Sequence, residues 1–276
     1  MQTAATKTII RPATGKFSLD WAELLEYRDL LYFLVWRDIK VRYKQTVIGG
    51  LWAILQPLFP MVVFSLIFGK FARLPSEGVP YPLFTLAALL PWQLFAYALS
   101  QSSESLVSNE KLITKVYFPR ILIPLTPVFS GLLDFAISFA VLLVIMLFYG
   151  FYPGTNILFL PAFVALAVMT SLGAGLWLTA LNVKYRDVRY TIPFLTQIWL
   201  YLTPVAYSAV LIPENWRFLY GLNPMVGVVE AFRWVFLGKQ PPSLAMVFIS
   251  GIMALSLLYT GLVYFQKMED EFADII

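Results

Sequence analysis

Long uncharged stretches, separated by short charged or Pro- and Gly-containing segments, make up most of the chain from residue 46 onward. A membrane helix needs about 20 predominantly apolar residues, and each stretch is long enough to provide at least one. The pattern therefore predicts six transmembrane helices. They cover residues 46–69, 78–103, 122–149, 157–181, 191–211 and 243–265.

The segment before the first span has a different pattern. Apolar residues, beginning with Trp21 and Leu24, recur at helical spacing with charged residues between them, and Ser18 is suited to cap the helix. A basic, Trp-containing amphipathic helix directly before a span is typical of the membrane interface. We therefore predict an interfacial helix over 18–42, after a flexible cytoplasmic tail over 1–17. A helix of a small soluble domain is disfavoured, because the segment is too short to form its own core.

Composition is typical of a polytopic membrane protein. The chain is 59% hydrophobic and 13% charged, whereas soluble domains are about a quarter charged. A net charge of +4 and a pI near 9.1 could indicate nucleic-acid binding. The basic residues cluster beside the apolar stretches, however, where they meet anionic lipid headgroups. We predict an all-α membrane protein that contacts anionic headgroups and no nucleic acid.

The distribution of charge orients the predicted spans. Six spans place both termini on one side, and 15 of the 20 Lys and Arg residues fall on that side, so the positive-inside rule predicts cytoplasmic N- and C-termini. Residues 212–238 carry charges between apolar runs too short to cross, which predicts a re-entrant or outer-surface helical pair. Residues 266–276 are predicted to form a cytoplasmic acidic tail.

The chain contains no Cys and no His. This excludes haem ligation, a typical zinc site, a Ser-His-Asp triad and a Cys nucleophile paired with His. The G-x-x-x-x-G-K-[ST] loop that cradles nucleotide phosphates is absent as well. We predict that the chain is not an enzyme and holds no cofactor, so that any ATP it depends on is bound by another chain.

Asp134 is the one ionisable residue plainly inside a predicted span. Intramembrane acids are costly and mark functional sites by default, so Asp134 could couple transport to protons. The other interpretation is a structural carboxylate, hydrogen-bonded within the bundle nearer its cytoplasmic end. The structural interpretation is favoured, because the predicted spans offer no Lys, Arg or His to complete a proton relay.

Two predicted spans carry aromatic and amide side chains on one face. Aromatic rings stack on sugar rings and amides pair with hydroxyls, so such faces suit a path for sugars, although ordinary packing is the alternative. The residues are Trp52, Gln56 and Phe59 in the first span and Phe194, Gln197 and Tyr201 in the fifth.

Five stretches of the chain together resemble the membrane subunits of type-2 ABC exporters, and they occur in the order seen there. They are WRDIKVRYKQTVIGGLWAILQPL, NEKLITKVYFPRILIPL, NVKYRDV, YLTPVAY and LNPMVGVVEAFRWVFLG. The resemblance covers about residues 30–265 and is closest to bacterial permeases for lipid-linked polysaccharide of the O-antigen, capsule or teichoic-acid type. It implies a homodimer in the bacterial inner membrane, paired with two copies of a separate subunit that binds ATP and Mg.

The same resemblance implies roles by position. Residues 18–42 resemble a gate helix, 105–118 a coupling helix that docks on the ATPase, and 212–238 a pair of short outer-side helices, while the first and fifth spans line the polymer's path. The gate residues are Trp21, Arg28, Arg37 and Lys40, and the coupling residues are Glu110, Lys111, Lys115, Phe118, Arg120, Arg186 and Asp187. The alternative is that the charges in the coupling segments only determine the orientation of the spans in the membrane. A type-2 exporter of a drug or lipid and a proton-coupled flippase that uses Asp134 are the alternative functions.

Overall fold

A computed structural model describes residues 21–44, 50–238 and 241–275, so the predicted tail over 1–17 lies outside the described residues. The described part is built from α-helices with short 3-10 and π segments. The helices are α1 Trp21–Glu26, α2 Arg28–Lys44, α3 Leu51–Phe64 (continued by a π-helix, Ser65–Phe71), α4 Tyr81–Ser108, α5 Glu110–Ile113, α6 Leu122–Phe148, α7 Leu160–Lys184 (preceded by a 3-10 turn, Thr155–Phe159), α8 Val188–Leu202, α9 Glu214–Gly221, α10 Pro224–Leu237 and α11 Leu244–Ile275.

Five helical segments of the described chain are long and apolar enough to cross a membrane. They are Leu51–Phe71, Tyr81–Ser108, Leu122–Phe148, Thr155–Lys184 and Leu244–Glu269. Each overlaps one of the six spans predicted from the apolar pattern, so the all-helical membrane fold is confirmed.

The remaining predicted span, 191–211, is only partly helical. Here α8 has 15 residues, which give about 22 Å of helix against a hydrocarbon core of about 30 Å. Thr203 ends the helix in an extended conformation (φ −104°, ψ 140°). Since Pro204 disfavours helical geometry at the residue before it, the local sequence explains the break.

Two further segments differ from their predicted boundaries. The range 105–118 is divided, because α4 continues to Ser108, Asn109 leaves helical geometry, and α5 covers only Glu110–Ile113. The range 266–276 continues α11 without a break to Ile275, and its apolar residues Met268 and Phe272 are buried. Apolar residues at helical spacing within this acidic stretch therefore bind it to the rest of the protein.

Helix α4 lies at the centre of the bundle, in contact with α3, α6, α7, α8 and α10. On its far side, α7 and α11 cross closely at Gly173 and Gly261. A Cβ atom on Gly173 would lie 2.5 Å from the backbone nitrogen of Leu258, and one on Gly261 would overlap the Gly173 carbonyl oxygen. Small residues at such crossings let membrane helices approach backbone to backbone. This crossing holds α11 against the core.

A second apolar cluster lies apart from the central core. It contains buried side chains from the segment after α5, the start of α6 and the ends of α7 and α11, with Leu24, Tyr27, Leu30 and Leu31 of the N-terminal helices packed against it. These elements flank the cytoplasmic loops of the predicted topology. The cluster joins the N-terminal helices to the C-terminal end of the chain.

Candidate functional site

Helix α2 presents two chemically different faces. Leu34, Arg37, Asp38, Val41 and Arg42 follow one another at intervals of three and four residues, so they share one face, and that face lines a cavity. The opposite side of the helix exposes aromatic rings, with Tyr32, Phe33 and Trp36 at 71%, 62% and 46% exposure. The charged face is therefore turned toward the protein, and the apolar face is turned away from it.

The cavity lies between α2, α4 and α6 and has a volume of about 530 Å³. We call it the gate cavity. Besides the α2 residues, it is lined by Tyr97, Gln101, Glu104, Ser105, Ser108 and Asn109 of α4 and its end and by Ile123, Thr126 and Pro127 of α6. Arg37 donates a hydrogen bond to the side-chain oxygen of Asn109 at 3.0 Å, and it also pairs with Asp38 at 2.9 Å. The gate cavity is thus lined by charged and polar groups from α2 and α4.

Asp134 of α6 lies at the inner end of this arrangement. One carboxylate oxygen is ion-paired with the Arg42 guanidinium, and the other accepts a hydrogen bond from the Tyr43 hydroxyl. The Arg42 guanidinium also stacks over the Tyr97 ring, 4.2 Å from its centroid, and lies 3.4 Å from the Ser130 hydroxyl. The Tyr43 hydroxyl is thus a hydrogen-bond donor to the carboxylate. Each oxygen of the Asp134 carboxylate therefore has a partner on α2.

The depth of this cluster follows from helix geometry. Asp134 is 12 residues beyond Leu122, or about 18 Å along α6, whose 27 residues span about 40 Å. For a helix along the membrane normal, an overhang of about 10 Å entirely at the N-terminal end of α6 would still leave Asp134 about 8 Å inside the hydrocarbon core. The C-terminal end of α2 therefore follows α6 into the bundle. Sequence analysis missed Arg42 as the intramembrane cation because it lies before the first apolar stretch.

The structure brings three of the predicted coupling residues to one cleft. Glu110 of α5 and Arg186 and Asp187 of the loop before α8 line it together with Arg189 and Tyr190. All three are exposed, as are Lys111 and Lys115 nearby. Loops from two different parts of the sequence thus form one charged surface.

Two other coupling residues have different surroundings. Phe118 is buried in the second apolar cluster, with 4% exposure. The Arg120 guanidinium donates to the Glu269 carbonyl, and its backbone amide lies 3.3 Å from a Glu269 carboxylate oxygen. Arg120 thus binds the segment between α5 and α6 to α11, whereas Phe118 anchors that segment in the cluster to which α11 contributes Phe265 and Phe272.

The six predicted path residues lie on α3 and α8, on either side of one face of α4. Trp52 and Phe59 of α3 are 50% and 59% exposed, Phe194 and Tyr201 of α8 are 64% and 60% exposed, and Gln56 and Gln197 are exposed as well. The face of α4 between these two helices is only partly covered. The residues on this stripe are Gln93, Ala96, Ser100 and Glu104. The stripe and the aromatic residues beside it form a wide surface that the single chain does not bury.

Of the gate residues, Arg37 and Lys40 lie on α2, Arg28 begins it, and Trp21 begins α1. Arg37 faces the gate cavity, whereas the Lys40 ammonium lies over the Trp36 ring, 5.3 Å from its centroid. Arg28 is exposed. The basic residues of this helix therefore divide between the cavity and the outer aromatic face.

A buried ion pair on α10 organises the segment after α8. Arg233 lies 2.8 Å from Glu230, and it donates to the carbonyl oxygens of Val205 at 2.9 Å and Tyr207 at 3.1 Å. Its guanidinium stacks on the Phe84 ring at 3.7 Å. Burial raises the pKa of Glu230 and lowers that of Arg233, and each charge opposes the shift of the other. The i,i+3 spacing places Glu230 and Arg233 on one face of α10, whereas the bonds to Val205 and Tyr207 join segments that are distant in sequence.

Comparison with known proteins identifies relatives over most of the chain. The family model described as ABC-2 type transporter matches residues 29–237. The O-antigen export system permease protein RfbA of Myxococcus xanthus is 30% identical over 92% of this chain and 98% of its own, and that of Klebsiella pneumoniae is 30% identical over 90% and 95%. The polysialic acid transport protein KpsM of Escherichia coli is 25% identical over 85% and 91%.

Proposed function

The chain belongs to the ABC-2 type transporter family, and we propose that it is the transmembrane subunit of an ATP-driven exporter of lipid-linked polysaccharide in the bacterial inner membrane. The resemblance predicted from the five sequence stretches is thereby confirmed at the level of the family. The observation that carries the proposal is nearly end-to-end similarity to proteins named for O-antigen export and polysialic acid transport.

The topology we propose has six spans, with both termini in the cytoplasm. Helix α8 and the segment 203–208 together form the fifth span, followed by α9 and α10 at the outer side. Irregular backbone is tolerated at membrane depth only where it is buried in protein or lines a water-filled cavity. Thr203, Val205 and Ser208 are fully buried, and the Arg233 guanidinium binds the Val205 and Tyr207 carbonyls. These contacts support a span that is completed by a non-helical segment.

We place the polysaccharide path on the uncovered surface formed by α3, α4 and α8. Aromatic rings on α3 and α8 offer stacking faces, and Gln56, Gln93 and Gln197 offer amides for sugar hydroxyls. In the proposed homodimer, two such surfaces face each other and enclose a conduit. The exposure of Trp52 and Tyr201 in the single chain supports this arrangement.

The energy comes from a separate ATP-binding subunit, present in two copies, which holds ATP and Mg. It docks on the charged surface formed by Glu110, Lys111, Arg186 and Asp187. Closure of the ATP-binding subunits moves the segment around α5, and the lipid-linked glycan crosses to the outer face. Helix α2 gates access of the lipid from the cytoplasmic leaflet, and its exposed aromatic face supports a position against lipid.

Reconstitution tests the function directly. The chain is purified with its ATP-binding subunit into proteoliposomes, and ATP-dependent movement of a labelled lipid-linked polysaccharide is measured, with a hydrolysis-deficient ATP-binding subunit as the control. Transport of a drug or a simple lipid, but not of the polysaccharide, would favour the exporter alternative. Transport driven by a pH gradient without ATP would favour the flippase alternative, which the two bonds to Asp134 disfavour.

A further inference from the structure

We infer that the Arg42–Asp134 ion pair is a latch that holds α2 closed over the gate cavity, and that transport requires the latch to open and Arg42 to move toward Glu104. The inference rests on the proposed function, in which α2 is the gate. It assigns to two residues the task of keeping that gate shut.

The first argument is the way in which α2 is attached. Near its start, Leu30 and Leu31 pack on the second apolar cluster. Near its end, Arg42 and Tyr43 bind Asp134. Between these attachments the gate cavity lies beneath the helix, and Leu34 is its one buried residue. An element with few buried apolar contacts opens at low free energy, so polar contacts at one end decide whether α2 stays in place.

The second argument is the position of the charges. Arg42 and Asp134 meet beside the central part of α6, at a depth where an unpaired charge is costly. Their side chains are 24% and 21% exposed in the isolated chain. A stationary helix could be held at this depth by apolar packing at no such cost. An ion pair can be either formed or broken, and the broken state is accessible when the released charges find other partners.

The third argument is that such a partner exists for Arg42. Arg42 stacks on Tyr97 of α4, and Glu104 lies seven residues along the same helix on the same face, about 10 Å away. Glu104 lines the gate cavity and forms no ion pair with the described residues. A guanidinium released from Asp134 can therefore reach a second carboxylate without leaving the cavity. Two discrete arrangements of this kind are what a switch requires.

A reversible covalent tie tests whether the latch must open. Because the chain has no native Cys, Arg42→Cys with Asp134→Cys introduces its only thiols, and a bis-methanethiosulfonate linker replaces the ion pair by a bond. In proteoliposomes with a cysteine-free ATP-binding subunit, we expect the tie to lower polysaccharide export at least ten-fold and reduction to restore it. Equal export in the tied and reduced states would overturn the latch and leave the pair as a fixed anchor.

A matched tie elsewhere controls for the chemistry. Trp177 and Tyr264 stack at 4.2 Å beside the close crossing of α7 and α11. Trp177→Cys with Tyr264→Cys, linked in the same way, should leave export unchanged. The acceptor is tested by Glu104→Gln, for which we expect export to fall at least three-fold while the complex assembles normally. Glu104→Asp, which keeps a carboxylate at this position, is the matched control and should retain more export than Glu104→Gln. Full activity of Glu104→Gln would overturn the step that moves Arg42 toward Glu104.

A measurement with the native ion pair separates this inference from the proposed function. Spin labels at Phe33→Cys and Val144→Cys, both at exposed positions, report the distance between α2 and α6 in complexes that carry one labelled chain. Binding of a non-hydrolysable ATP analogue should shift or broaden that distance, and an unchanged distribution would overturn the latch. If the distance changes but the reconstituted wild type moves no polysaccharide, the proposed cargo is wrong and the latch stands.

Discussion

Replacing Arg233 should destabilise the protein more than any surface substitution. Its guanidinium is buried, pairs with Glu230 at 2.8 Å and binds two backbone carbonyls of the segment that follows α8. In Arg233→Met the apolar stem is kept but the charge is lost, so Glu230 is left buried without its cation and two carbonyls lose their donor. Breaking a buried pair from one side costs about 3–5 kcal/mol.

The expected shift in melting temperature follows from this free energy. For a chain of this size, 1 kcal/mol corresponds to roughly 2–4 °C, so Arg233→Met should melt on the order of 10 °C lower than wild type. Thermal unfolding of the purified transporter, followed by intrinsic fluorescence at constant detergent and lipid, measures the shift. The melting temperature of Arg233→Lys should lie between those of wild type and Arg233→Met. An ammonium keeps the charge but cannot bind Glu230 and two carbonyls in the fork geometry of a guanidinium.

The double variant Glu230→Leu with Arg233→Met provides the control. Removing both charges of a buried pair is often neutral or stabilising, so the double variant should recover most of the stability lost in Arg233→Met. The carbonyls of Val205 and Tyr207 remain without their donor, which sets a limit to the recovery. A single variant as stable as wild type would refute the reasoning, as would a double variant that melts lower than the single one.

Three further predictions concern packing, the path and coupling. Gly261→Leu should prevent close approach of α7 and α11 and abolish a monodisperse complex in size-exclusion chromatography, because its side chain would overlap Gly173. Trp52→Ala should lower polysaccharide export several-fold with little change in melting temperature, because the ring is half exposed. Glu110→Ala with Lys111→Ala should weaken co-purification of the ATP-binding subunit or lower transport per ATP hydrolysed, because both side chains are exposed beside the cleft.

Each of these predictions has a defined contrary result. A normal chromatogram for Gly261→Leu would mean that the helices can separate without loss of the fold, and Gly251→Leu, at a glycine with open space around it, is the matched control. Normal export by Trp52→Ala would assign the ring to packing alone. Unchanged co-purification and unchanged coupling ratio in the double alanine variant would leave the charges with a role in topology only.

Apolar length predicts most of the membrane fold, because five uncharged stretches provide enough residues to cross on their own. It fails at the remaining predicted span, where hydropathy continues but Pro204 stops the helix at Thr203. The non-helical backbone that follows is hydrogen-bonded by the side chain of Arg233, which comes later in the sequence. Hydropathy registers how apolar a segment is, whereas helix length is decided by local backbone geometry and by distant hydrogen-bond donors.

The candidate site is less predictable from sequence, because its contacts join distant segments. Asp134 stands out as an intramembrane acid, but Arg42 looks like an ordinary flanking charge until α2 is packed on α6. The aromatic stripes were predictable from helical periodicity, since each lies within one helix. Phe118 illustrates the opposite case, because it lies beside charged residues in sequence while its ring is buried in the second apolar cluster.

The second apolar cluster connects the proposed coupling surface to the latch. Ile113 and Phe118 of the coupling segment are buried in it, as are Phe265 and Phe272 of α11, and Leu30 and Leu31 at the start of α2 pack against it. Displacing the coupling segment would therefore disturb the apolar attachment of α2 while Arg42 still holds its other end. Close-packed apolar groups move together, so the displacement would be transmitted to α2. The Arg42–Asp134 ion pair would then be the contact that breaks, because it can exchange partners. This order makes opening of the latch a consequence of the movement around α5.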